Sequence, residues 1–292
     1  MNSPAALAIA ADAGNSVAAA RTGIDSRRRE RIASWTLRAS ATFWAVMAML
    51  GQFVFVIYVA LFYGRAAAQG HPELWNKVLQ GGYVSGHTMS NAVLAAHLLF
   101  AFVVTAGGLL QLVPAIRNRW PRIHRWNGRV YLFAAVSASV AGLIMIWTRD
   151  TGGDLSQHLA ISLSALLIIA FAGLALRHAR ARQFDIHRRW ALRLFLVVSG
   201  GWFFRVGLMF WIVLNRGPVG FDPKTFTGPF ITFLAFAEYV IPLAMAELYF
   251  RAQRSGDWRG RLATAAGLTV LTLVMSTGIA AATAIMWLPH MR

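Results

Sequence analysis

Runs of apolar residues, each closed by a short polar or basic break, set the rhythm of this chain. Seven stand out, at about 40–63, 91–113, 129–148, 157–176, 190–214, 229–250 and 264–288. A helix of roughly 20 mostly apolar residues crosses the hydrocarbon core of a bilayer, and each run reaches or nears that length. The breaks are too short to hold a soluble domain. The longest, 64–90, has room for a small amphipathic element. The pattern predicts an all-α polytopic membrane protein of about seven transmembrane helices, with helices two to five as its core bundle. Residues 1–38 read as a disordered, basic, cytoplasmic N-terminal tail. That leaves 39–292 as the transmembrane domain, with its central region at about 92–214. A secretory signal would carry its charge ahead of its apolar stretch, and here the order is reversed.

Composition agrees with the pattern. The chain is 57% hydrophobic and 13% charged, against about a quarter charged in soluble domains. It has no cysteine, which excludes disulfides, thiolate nucleophiles, Cys-ligated zinc and iron–sulfur clusters. The net charge of +17 first suggests nucleic acid, but its distribution argues for a lipid bilayer as the partner and against nucleic acid. Of the 28 Lys and Arg, twenty fall in the tail and in the breaks at 117–129, 177–189 and 251–261. Six fall in the alternating set. Short cytoplasmic loops retain basic residues, so this bias predicts a bacterial inner-membrane protein with a cytoplasmic N-terminus and the C-terminus on the far side.

Charges inside the runs are costly and need partners. Arg205 and Glu238 each lie nine residues from the same end of their runs, at a depth of about 14 Å by helix rise. Arg193 and Glu247 each lie three residues from the other end. Two interhelical ion pairs are expected, serving either to staple spans five and six or to line a proton or substrate path. Gly200 and Gly201 give span five a place to kink.

The histidines raise a second question. His97 and His158 fall toward one end of spans two and four, while His124 and His187 open spans three and five at the other. Facing histidines from alternate helices of a bundle are what bis-His haem ligation requires. His97 sits deeper than His158 by about 7 Å of helix rise. The bland alternative is interfacial anchoring. Arg125, Trp126 and Arg129, and again Arg188, Arg189 and Trp190, place cations and amphipathic rings at helix starts, where headgroups lie. Zinc has a thinner case, Asp150 and Asp154 near His158, without an HExxH spacing. There is no nucleophile motif and no phosphate loop, so whether the protein is an enzyme stays open.

Two resemblances follow from these residues. The helix order of the four histidines is similar to that of the two-haem transmembrane cytochromes b of the ascorbate-reducible type, and implies haem b with a quinone or other redox partner. The stretch AAHLLFAFVVTAGGLLQLVPAIRNRWPRIHRWNGRVYLFAAV, followed by DIHRRWALRLFLV, resembles the bacterial membrane family known as domain of unknown function 2306. Its pattern falls on His97, Gly107, Gly108, Gln111, Arg117, His124, Arg125, Gly128, Arg129 and Tyr131, then on His187, Arg188, Arg189, Trp190 and Arg193. His158 lies outside that pattern, and Ala191 stands where the pattern has Met. The resemblance implies a multipass membrane protein. Three functional readings stay open: haem-based electron transfer, a transporter or sensor with an Arg/Glu/His polar core, and a non-catalytic scaffold.

Overall fold

A computed structural model describes residues 4–79, 81–149 and 153–291, the side chains of 4–24 and 26 excepted. The described residues are helical and form no β-strand beyond one isolated bridge, Asp222 to Thr227. The long helices are α1 (Pro4–Val59), α2 (Thr88–Leu112), α3 (Pro121–Thr148), α4 (Leu155–Arg180), α5 (Phe184–Val198), α6 (Gly200–Asn215), α7 (Pro229–Arg254) and α8 (Trp258–Ala281). Among the described residues six helices are long and apolar enough to cross a bilayer, or seven if the bent pair α5–α6 counts as one span. Each of the seven apolar runs falls on one of these helices or on the bent pair. The first helix, α1, begins at Pro4; the alanine-rich composition of its first part favours helix.

Local sequence explains the breaks. Pro114 and Pro121 occupy first-turn positions of their helices, where a missing N–H costs nothing. Asp154 caps α4, its carboxylate accepting from the Gln157 N–H at 3.0 Å. The span-five bend of 51° falls at Ser199. There the Ser199 hydroxyl donates to the Phe195 carbonyl at 2.8 Å and accepts from the Gln52 side chain at 2.9 Å. Gly200 and Gly201 follow, and Ser/Gly sequences are a recognised cause of such kinks.

The described chain divides into two compact units. The first is Met1–Ala45 with Glu247–Leu271. It has a small core of Leu37, Ala252 and Ala265. Arg261 ties it together, donating to the Ser34 hydroxyl at 2.8 Å and to the Ala252 and Ser255 carbonyls.

The second unit, Val46–Ala246 with Thr272–Arg292, holds the bundle. Here α2 packs on α3, α3 on α4, and α4 on α5, around Val104, Tyr131, Ala134, Ala135, Ala172 and Leu194. Small residues allow the helices to approach closely, as is usual where lipid gives no hydrophobic push between them. Outward-facing residues such as Leu99, Phe133, Leu166 and Phe233 stay exposed, as lipid contact requires. Arg149 clamps the segment after α1 to the start of α2. Its guanidinium donates to the Gly81 and Gly82 carbonyls and to Ser90.

Candidate functional site

In the second unit a cavity of about 440 Å³ opens among the spans. Small-molecule and cofactor sites run from roughly 300 to 1,000 Å³. Most of its wall is apolar, from residues such as Phe55, Val104, Ile168 and Phe195, but its polar members are specific. They include Gln52, Tyr63, His97, Gln157, His158, Ser199, Arg205 and Glu238. Four of the residues singled out in the sequence, His97, His158, Arg205 and Glu238, thus line one chamber.

His97 stands mid-way along α2. Its Nδ1–H donates to the Ala138 carbonyl of α3 at 3.0 Å. The ring lies against Gly142, with Cε1 3.4 Å from where a Cβ would stand. That hydrogen bond fixes the tautomer and leaves Nε2 as the basic nitrogen, the arrangement ligating histidines use. His158 is in the first turn of α4, edge-on to the Trp147 ring with centroids 5.7 Å apart. The indole of Trp147 is held in turn by the Ser162 hydroxyl at 3.0 Å. The difference in depth inferred from helix rise does not keep the two histidines from lining the same cavity.

At the arginine-rich end, His124 and His187 occupy the first turns of α3 and α5. The Nδ1–H of His187 donates to the Ala175 carbonyl of α4 at 2.9 Å, again leaving Nε2 free. His124 lies within electrostatic range of His187, Arg117 and Arg125. Its Nδ1 is buried with no hydrogen-bond partner, an orphan of the kind that calls for a reason. The backbone around His124 is clasped to α2. The Gln111 side chain donates to the His124 carbonyl at 2.9 Å, and Asn127 donates to the Gly107 carbonyl at 2.8 Å. Gly108 and Gly128 make room for this contact, facing Tyr131 and Gln111 at 3.3 Å from a would-be Cβ. These two histidines do not line the cavity.

Charged residues sort the same way. Arg205 donates to the Gly201 carbonyl at 2.7 Å and lies 5.8 Å over the Phe55 ring. It is within electrostatic range of Glu238, but no direct ion pair closes between them. The Glu238 carboxylate lies against Gly200, 2.9 Å from where a Cβ would be. Arg193 lies over Trp190 at 4.6 Å, and Glu247 belongs to the first unit. Of the surface motif, Arg125, Trp126, Arg129 and Arg188 are exposed, while Arg189 and Trp190 are half-buried. Arg129 sits over the Trp126 ring at 4.9 Å.

Asp150 lies outside the described residues, and Asp154 is engaged as the α4 cap. Among the described residues no group of three or more His, Asp or Glu is placed to hold a metal ion. Sequence reading missed the Gln52–Ser199 bond across the bend and the clasp made by Gln111 and Asn127. A lone Gln in an apolar run is the signal that points to each.

Length, hydropathy and helix arrangement together define a multipass helical membrane protein. Residues 94–250, more than half of the chain, match the sequence model of the predicted membrane protein family DUF2306. The chain belongs to that family. No curated protein and no solved structure matches it.

Proposed function

We propose that the bundle binds haem b and carries electrons across the bilayer, with His97 and His158 as the residues that would hold one haem and His124 and His187 as those that would hold another. The observation that carries this reading is that His97 and His158, on alternate helices, line one cofactor-sized cavity while Ala138 orients the His97 ring. The matching tether of His187 to Ala175 and the orphaned Nδ1 of His124 support the second pair. Haem, when bound, would supply one-electron exchange; the histidines would hold it, the carbonyls of Ala138 and Ala175 would orient the His97 and His187 rings, and the apolar wall would exclude water. The arginine bias sets the orientation in this reading, with the N-terminus cytoplasmic in a bacterial inner membrane. A quinol or another redox partner would exchange electrons at the membrane surface.

The test is an oxidised and a dithionite-reduced absorption spectrum of the purified full-length protein, expressed in haem-sufficient cells. Low-spin haem b bands that weaken in both His97→Ala and His187→Ala are expected. A colourless, folded preparation overturns the reading and leaves a scaffold whose arginine and tryptophan motifs anchor helices.

A second reading draws on the bend at Ser199. Transporters place substrate sites at discontinuous helices, and Arg205 and Glu238 line the cavity beside this one. Flux that depends on pH and is lost on exchanging Arg205 and Glu238, in a colourless protein, would favour it.

A further inference from the structure

We infer that the Arg205 corner of the cavity is a subsite for a carboxylate carried on an apolar body. The inference rests on the reading that the cavity is a ligand site, but not on which ligand fills the histidine end. A guanidinium offers five N–H donors. Arg205 gives one to the Gly201 carbonyl and rests its face near Phe55. No carboxylate among the described residues closes an ion pair with it, although Glu238 is in electrostatic range across the corner. A cation within a membrane span without a direct counter-ion is costly and marks ligand or ion paths.

The surroundings define what the missing partner is. The bend interrupts span five at Ser199, whose carbonyl accepts from the Trp202 and Phe203 amides at the start of α6. Gly201 carries no side chain to fill the space; a Cβ there would stand 3.6 Å from the Arg205 guanidinium. A single planar fork matches a carboxylate in a bidentate fashion, whereas a phosphate dianion would call for further cations. Beyond the corner the wall turns apolar, with Phe55, Val104 and Phe195, which suits a hydrocarbon or ring body. Two sources share this chemistry, a haem propionate and a free amphiphilic carboxylate.

The experiment uses the purified full-length protein in neutral detergent, with two pairs of probes. Decanoate is compared with decanol by thermal shift, and haem with its dimethyl ester by absorbance titration. Wild type, Arg205→Gln and Arg205→Lys are measured. The subsite predicts that decanoate, haem or both bind at least about tenfold more weakly to Arg205→Gln. Arg205→Lys keeps part of the affinity, and decanol and the diester ignore position 205. Decanoate binding without haem binding upholds the subsite while sinking the haem reading. Haem binding alone assigns the carboxylate to a propionate. Should Arg205→Gln fail to fold, the wild-type preference for acid over alcohol or ester, and its weakening in Arg205→Lys, decide the matter. Equal binding by wild type and Arg205→Gln overturns the inference even if the protein is coloured. So does the absence of acid binding to wild type.

Discussion

The two histidine pairs use the same residue type on alternate helices and are held in opposite ways. His97 and His158 line an apolar chamber with room for a guest. His124 and His187 sit in first helical turns among arginines, where Gln111 and Asn127 lock α2 to α3. The chamber end sets a few polar groups in an apolar wall, among them Gln52 and Ser199, bonded to each other. The arginine-rich end spends its polar groups on lacing backbone to backbone. The packing in front of a histidine therefore decides what it can do here: His97 and His158 line the cavity, and His124 and His187 do not. If only one pair is chemical, the difference favours His97 and His158.

Substitutions at each end sharpen this contrast. The largest expected effect is from His97→Ala, which should abolish ligand binding in the cavity while leaving the fold intact, read by absorbance and by thermal midpoint. His124→Ala should by contrast leave that cavity signal in place; loss of both signals together would show the two ends to be one unit. Next comes Gly142→Leu. Its Cβ alone meets the His97 ring at 3.4 Å, and the further carbons would push the imidazole off Ala138. Overpacking costs about 1–3 kcal/mol, and cavity binding should fall while the His187 site is untouched.

Gln111→Ala should act only at the other end. Losing its bond to His124 costs about 0.6 kcal/mol by the average for membrane helices, visible as a small drop in unfolding midpoint with the cavity unaffected. Trp126→Ala should be about as mild. It removes a surface cation–π contact with Arg129 worth about 0.5–1 kcal/mol, and the indole is 65% exposed. A large loss there would mean that this face is covered by more than lipid headgroups.

Much of the fold was written in the hydrophobic rhythm. A membrane span must satisfy its own backbone, so an apolar run of the right length has almost no choice but helix. Gly200 and Gly201 likewise announced the bend. The extent of α1 was less legible, because alanine-rich polar sequence suits both helix and coil. The site was legible only in part. Residue types and depths singled out His97, His158, Arg205 and Glu238, but which side chains share a chamber depends on helix rotation, and periodicity is weak in spans that are apolar all round. Arg205 shows the limit: depth alone matched it to Glu238, whereas the bend gave its guanidinium a carbonyl at Gly201. The Gln111 clasp is marked in the sequence only by a lone amide in an apolar run, which does not say what that amide bonds.

The Arg149 clamp carries a consequence for handling the protein. The segment from 69 to 87 is glycine-rich and exposed, the kind of sequence a protease normally cuts first. Here one guanidinium holds its carbonyls, Trp75 is buried with its indole bonded to the Tyr63 carbonyl, and the Asn76 and Asn91 amides bracket Tyr83 and Val84. A chain held at so many points does not readily enter a protease cleft. Resistance of that segment to digestion, lost in Arg149→Ala, would serve as a simple assay of native assembly on that face of the membrane.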